Sequence, residues 1–461
     1  MRKEKDSMGE VLVPKDAYFG AQTQRAVDNF PISNRRIPTT LIKSLGMIKK
    51  SAAIVNHKLN RLESSLKDAI VEASDEVISG KFNSQFVVDI YQTGSGTSSN
   101  MNANEVISNR ANEILGHNLG TKSPVHPNDH VNLGQSSNDT FPSAINISIC
   151  LDLKSKLFPS LKEMEKILSK KVKEFSNVIK IGRTHLQDAT PIGLDQEFSG
   201  YVQMIKNSMR RINDSMKYIQ NLPQGGTAVG TGINTHPDFG DKIAKELSVV
   251  SGINLKEAEN HFEAQSTQDS VLAVSSSLRG LAVSLSKIAN DIRLLGSGPR
   301  AGIGELYIPS VQPGSSIMPG KVNPVMCESL IQVCAQAISN DYAVLLGAQG
   351  SFFELNVMMP LIASNILESI EILSNGVSIF NSKLLIGLKA NKEICNGYIE
   401  GSLAMCTSLV PVIGYDKAAA VAYKAYKKGK TVREIVLEDN LLSEKEVDRL
   451  LDYGSMIKPK K

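Results

Sequence analysis

The sequence holds no run approaching 18 consecutive apolar residues, so no membrane span is expected. Cysteine is scarce. The five present (Cys150, Cys327, Cys334, Cys395 and Cys406) form no Cys-x-x-Cys pair. Five are too few for a disulfide framework and fit small apolar side chains in a reducing compartment. Charge of neither sign dominates, with 51 basic residues against 47 acidic ones and a net of +4. This balance argues against a nucleic-acid surface, and Lys458, Lys460 and Lys461 read as a solvated tail. A leader pattern is also lacking: Glu4, Asp6 and Glu10 interrupt Arg2, Lys3 and Lys5, and no apolar stretch follows. Neither a secretory nor a mitochondrial leader is expected, and the expected location is cytoplasmic. No internal repeat is apparent.

What is present is helical periodicity. With 461 residues, 41% hydrophobic and 21% charged, the chain can bury a substantial core in one large domain or up to about three. From 269 to 297 the apolar residues Val271, Val274, Leu278, Leu281, Leu285, Ile288, Ile292 and Leu295 follow alternating steps of three and four. This spacing predicts one helix roughly 40 Å long. Small residues on its other faces, such as Ala273, Ser276 and Gly280, let further helices approach closely. Leu157, Leu161, Met164, Leu168, Val172 and Phe175 repeat the pattern, with lysines and glutamates outward. Proline-free stretches at 192–222, 325–359 and 361–410 predict more long helices, separated by turns at 188–191 and 221–223. The expected fold is mainly α in three domains: a mixed segment 1–135, a central long-helix bundle 136–392 and a small helical segment 393–461.

Chemistry concentrates where helices are broken. Gly314-Ser-Ser-Ile-Met-Pro-Gly-Lys-Val-Asn-Pro324 places two hydroxyls, an ammonium and a carboxamide in a loop, near five of the eighteen prolines. Such side chains build little core but suit a small anion. Further polar motifs are Thr93-Gly-Ser-Gly-Thr-Ser-Ser-Asn-Met-Asn102, Gly134-Gln-Ser-Ser-Asn-Asp139, Gly182-Arg-Thr-His-Leu-Gln-Asp188 and His126-Pro-Asn-Asp129. Together these resemble the fumarase/aspartase superfamily, and most closely its class II fumarate hydratases. The likeness runs from Val13-Pro-Lys-Asp16 to Ile413-Gly-Tyr-Asp-Lys417, nearly the whole chain.

The resemblance implies the L-aspartase-like fold, a homotetramer with sites shared between subunits, and reversible hydration of fumarate to (S)-malate. It implies no cofactor and no metal; the only partners implied are the dicarboxylate and other copies of the chain, with neither nucleic acid nor membrane. A carbon acid beside a carboxylate must lose its proton, so fixed donors must stabilise the aci-carboxylate that forms. By the same resemblance Ser315 is the general base, with its alkoxide stabilised by Lys321 and nearby backbone N–H groups. His185 handles water on the other face, and Glu328 is its carboxylate helper. Substrate-binding positions are Ser95, Gly96, Thr97, Asn100, Ser136, Ser137, Asn138, Thr184, Ser316, Lys321, Val322 and Asn323. A second anion-binding segment falls on His126, Pro127, Asn128 and Asp129.

Alternatives stay open on several of these residues. Chemistry alone does not separate Ser315 from Ser316, and an isolated Gly-Ser-Ser is an ordinary turn. His126 to Asp129 reads equally as a Pro-Asn-Asp turn capped by histidine; a metal site on His126, Asp129 and His130 is a lesser alternative, because no supporting or distant Cys/His set accompanies it. His130 also stands where many relatives carry an aspartate. Gly225-Gly-Thr-Ala-Val-Gly-Thr-Gly232 lacks the Lys-Ser/Thr ending of a phosphate loop, so a close backbone approach is expected there. Ser351-Phe-Phe-Glu-Leu-Asn356 carries extra bulk relative to the family pattern. The rival activities are aspartate ammonia-lyase and a non-catalytic structural paralogue. Gly320 and Ser95 favour the hydratase over the ammonia-lyase, and retention of Ser315, Lys321, His185 and Asn323 argues against the paralogue.

Overall fold

The alternating seam becomes one unbroken helix, Asp269–Leu295, in the computed structural model, which describes residues 1–459. Lys460 and Lys461 of the expected tail lie outside the described residues. All eight seam side chains from Val271 to Leu295 are buried, each contributing about 2 kcal/mol on leaving water. By length and composition this helix could also cross a membrane; burial of its seam in protein is how a core helix meets the same measure.

The fold is mainly α. Seventeen α-helices, six short 3-10 or π-helical segments and five two-stranded ribbons make up the regular structure of the described residues. The chain divides into two compact units. The first comprises Met1–Pro159, Ser208–Ala282 and Val333–Ser374; the second comprises Ser160–Asn207, Val283–Gln332 and the described chain from 375 onward. The long helices Leu194–Ile219, Asp269–Leu295, Val325–Ala348 and Met359–Phe380 each contribute residues to both.

In the first unit, helix Thr39–Lys58 buries Leu41, Leu45, Ile48, Ala52 and Val55, again in steps of four and three. It packs against helices Ser64–Ile78, Ser137–Asp152 and Phe239–Ser251. Helix Thr97–Ile114 is unusual because it buries many polar side chains beside its apolar ones, among them Asn100, Asn104, Glu105, Ser108, Asn109 and Asn112. These groups clamp loops. Glu105 accepts from the backbone N–H groups of Gly20, Gln22 and Thr23 at 2.8–3.1 Å and so caps helix Ala21–Asn29, which has no cap of its own. Asn112 Nδ2 and Ser108 Oγ both donate to Val125 O.

In the second unit, helix Phe158–Glu174 buries the predicted Leu161, Met164 and Leu168, with Leu157 just before it and Phe175 just after. Val172 is only half-buried, and Lys171, read as outward-facing, is buried in its place. Its Nζ donates to Glu174 and to the carbonyls of Ile386 and Leu388, which lie at the end of another helix. The expected turn at 188–191 is corrected. Those residues belong to a strand, Gln187–Gly193, paired antiparallel with Ile179–Thr184. Segment 221–223, also read as a turn, includes a short strand, Asn221–Leu222, parallel to Lys256–Glu257 in the first unit. Near the C-terminus, Ile399, Leu409, Val421, Ile435 and Val447 belong to a buried apolar cluster.

Candidate active site

The donors expected to bind substrate fall in two groups, one in each unit. In the first unit Gly96 starts helix Thr97–Ile114 with φ of 73°, and a Cβ there would stand 2.3 Å from the Phe141 ring. Only glycine fits. The turn delivers a chain of hydroxyls: Ser95 Oγ lies 2.7 Å from Thr97 Oγ1, which lies 2.7 Å from Ser137 Oγ. Ser136 caps helix Ser137–Asp152, its Oγ accepting from Asn138 N–H at 3.2 Å. Asn138 Nδ2 donates to Ala228 O in the glycine-rich segment. Thr97, Asn100, Ser136 and Ser137 line a cavity of about 410 Å³, together with Asn128 and Thr227.

The segment expected to bind a second anion opens a wide turn, Pro127–Val131, and its Asn128 lines the same cavity. His126 Nδ1 accepts from the N–H groups of Asn128 and Asp129, and His130 Nδ1 accepts from His126 N–H. This is the histidine-capped turn of the alternative reading. Burial holds the His130 imidazole below its ordinary pKa. Among the described residues no group of three or more His, Cys, Asp or Glu side chains is disposed to hold a metal ion.

In the second unit His185 sits at the tip of the hairpin built from Ile179–Thr184 and Gln187–Gly193. Its two-residue turn is His185-Leu186, with φ of 56° and 61°. Positive φ at both positions is the type I′ geometry that Asn-Gly normally supplies. Leu186 at least resists this conformation, so the turn stores strain. Arg183, two residues before the tip, donates to both oxygens of the fully buried Glu305 at 2.9 and 3.0 Å. Lys180 Nζ lies 3.3 Å from the same carboxylate, which thus anchors the hairpin strand twice.

The 314–324 loop is locally closed. Gly314 N–H donates to Lys321 O, and Asn323 Nδ2 donates to Gly314 O at 2.6 Å. Inside this ring Ser315 Oγ accepts from the N–H groups of Ile317 (3.2 Å) and Met318 (2.9 Å). Donors aimed at a hydroxyl oxygen favour its alkoxide. Lys321 Nζ donates to Asn323 Oδ1 at 2.6 Å rather than to Ser315. Glu328 stands in the first turn of helix Val325–Ala348, and among the described residues no hydrogen bond joins it to His185. Thr184, Ser316 and Val322 are exposed beside these groups.

Several residues behind the first cavity had not been expected. Asp139, fully buried, accepts from the N–H groups of Ser136, Gly225 and Thr227 at 2.9–3.0 Å. The glycine-rich segment therefore wraps a carboxylate of the protein itself. Burial pushes Asp139 up to about 6 and the fully buried Lys49 down to about 7, each partly offset by the opposite charge of the other. A signal was available for both. Asp139 is three residues after Ser136, the spacing of a capping box, and Lys49 falls on the apolar face between Leu45 and Ala52.

Comparison with known proteins gives the family. A family model described as Lyase matches residues 9–339, and one described as Fumarase C C-terminus matches 405–458. Fumarate hydratase class II of Neisseria meningitidis is 48% identical over 460 residues, covering 100% of this chain and 99% of that protein. The chain belongs to the class II fumarate hydratase family. Mitochondrial fumarate hydratase of Saccharomyces cerevisiae is 49% identical over 461 residues, covering 100% of this chain and 94% of its own. Among solved structures, recombinant class II fumarase from Schistosoma mansoni matches with a TM-score of 0.98 at 42% identity, covering 100% of both chains. Fumarate lyase:delta crystallin from Brucella melitensis bound to cobalt matches at 0.96 and 44%, covering 99% of this chain and 100% of that one. The fold is thus the fumarase/aspartase fold.

Proposed function

We propose that this chain catalyses the reversible hydration of fumarate to (S)-malate, a carbon–oxygen lyase reaction. In the dehydrating direction Ser315 Oγ takes a proton from the carbon beside one carboxylate, and the electron pair moves into that carboxylate as an aci-carboxylate. The C–O bond at the neighbouring carbon then breaks. The departing hydroxide receives a proton by way of His185, with Glu328 as its partner. The aci-carboxylate pair returns to form the C=C bond as the C–O bond breaks, water is the only product besides fumarate, and the Ser315 proton passes to solvent to restore the base. Lys321, Asn323 and the hydroxyl chain of Ser95, Thr97 and Ser136–Asn138 hold the two carboxylates, where fixed donors matter most as charge develops.

One observation carries this reading: Ser315 Oγ is the focus of two backbone N–H donors in a closed loop that also fixes the Lys321 ammonium. Full-length identity to relatives named fumarate hydratase supports it. We further propose a cytoplasmic homotetramer with sites shared between copies, the three-segment division at 135 and 392, and a second anion site at His126–Asp129.

The test is absorbance in the fumarate band after adding malate, then aspartate, to purified protein. Malate is expected to give the signal. Signal with aspartate alone would establish the ammonia-lyase, and none with either would favour the structural paralogue. Ser315→Ala and Lys321→Met are each expected to slow malate dehydration by ~100-fold or more with the helical spectrum intact.

A further inference from the structure

We infer that Lys49 is a positioning residue: through Asn132 and Gln135 its buried ammonium fixes the Asn100 carboxamide at the wall of the cavity that receives a substrate carboxylate. The inference rests on the proposed assignment of that cavity to substrate.

Helix Thr39–Lys58 has no need of a lysine here, because the position faces its apolar core and methionine would fill similar volume. A buried ammonium costs several kcal/mol unless it is paired and hydrogen-bonded, so its presence calls for a role. Nζ donates to Asn132 Oδ1 at 2.9 Å and to Gln135 Oε1 at 3.0 Å. An ammonium offers donors only, so both amides must turn their oxygens towards it. Asn132 Oδ1, held this way, also accepts Asn100 Nδ2 at 3.2 Å and Asn104 Nδ2 at 3.1 Å. Asn132 Nδ2 closes the arrangement on Gln135 O at 3.0 Å.

Three donors on one carbonyl oxygen define the rotamer of each. One N–H of the Asn100 amide is committed to Asn132, which leaves its second for a ligand. Asn100 Oδ1 is buried without a partner. Asn100, Asn132 and Gln135 all line the 410 Å³ cavity, whereas Lys49 stands behind its wall. The opposite charge is also supplied behind the wall. Asp139 fixes the Ser136 turn and the Thr227 backbone on the same cavity, and it is the anion that partly compensates the Lys49 ammonium.

The experiment is a double-mutant cycle on the full-length protein. Lys49→Met is expected to raise KM for malate ~10-fold or more while kcat stays within ~3-fold, because a binding group has been loosened and the reacting groups have not. Asn100→Ala should do at least as much, and adding Lys49→Met to it should cause no further loss beyond ~2-fold. A wild-type KM in Lys49→Met, or losses that multiply in the double variant, would overturn the inference. If Lys49→Met does not fold, Asn132→Ala cuts the same link. It must show the same KM rise and the same non-additivity with Asn100→Ala, and a wild-type KM sinks the proposal. Calorimetric titration with succinate, a four-carbon dicarboxylate that cannot be hydrated, separates this inference from the activity. Weaker succinate binding by Lys49→Met in a chain without malate turnover would remove the hydratase reading and leave the positioning role standing. Equal succinate binding by wild type and Lys49→Met would remove the positioning role alone.

Discussion

Replacing Leu186 by asparagine should tighten the hairpin that carries His185. Leu186 adopts φ of 61° in a two-residue turn, a conformation that costs an ordinary L-residue roughly 1–2 kcal/mol and asparagine far less. The leucine side chain is 74% exposed, so its loss forfeits little burial. The expected net gain is about 1 kcal/mol, or about fivefold in the equilibrium for local opening. A 461-residue chain dilutes such a gain to roughly one degree in Tm, so the proper assay is amide hydrogen exchange across residues 179–193. Exchange within both strands should slow by about fivefold in Leu186→Asn. Leu186→Gly should gain less, since glycine also loosens the unfolded chain. Unchanged or faster exchange in Leu186→Asn would refute the claim that the turn is strained.

Glu305→Gln leaves the buried Lys180 and Arg183 without their carboxylate and should lower stability by about 3–5 kcal/mol in denaturant titration; a loss under about 1 kcal/mol refutes the anchor. Stability should also track the Lys49 ammonium. Burial brings its folded pKa down to about 7, well below the ordinary lysine range, so the folded state releases the proton first and this group adds stability as pH rises above 7 towards that ordinary range. Wild type should therefore gain on Lys49→Met over that range by up to about 1.4 kcal/mol per pH unit, and lose the gain as pH falls back through 7. A gap that stays flat from pH 7 to 10 would refute a Lys49 whose burial makes the folded state give up its proton early. Dilution until light scattering gives the monomer mass should abolish malate turnover, and a fully active monomer would refute sharing of the site between copies.

Much of the scaffold was legible because burial imposes a period. The Asp269–Leu295 seam repeats every three and four residues, and all eight predicted side chains are buried. The His185 hairpin was not legible, for a reason that lies in its chemistry. Its strands are short and largely exposed on one side, and the turn that would announce them carries His-Leu in place of Asn-Gly. The bulge at Gly182, where a Cβ would stand 2.6 Å from Thr190 O, further breaks the period-two pattern. Lys49 and Asp139 escaped for another reason. Charged residues are placed at the surface by default, and only the three-dimensional structure joins positions 90 residues apart across one cavity wall.

The surroundings of the proposed catalytic groups bear on the proposed association of copies. Ile317 is 84% exposed and Met318 51% exposed, immediately after Ser315, and Leu186 is exposed beside His185. Apolar side chains set next to chemistry-bearing groups at exposed tips have no reason to face water. Nor does the chemistry favour it. At 4 Å an ammonium–carboxylate attraction is about 1 kcal/mol in water and about 4 kcal/mol at the effective dielectric of a protein surface. A carbon acid that must lose its proton beside an existing negative charge gains from every donor shielded in this way. A second copy of the chain, laid over these tips, would cover the apolar residues and raise the strength of the same donors in one step. The exposed residues Leu186, Ile317 and Met318 are then the ones whose substitution by serine should weaken assembly and turnover together, whereas Ser315→Ala should remove turnover from an intact assembly.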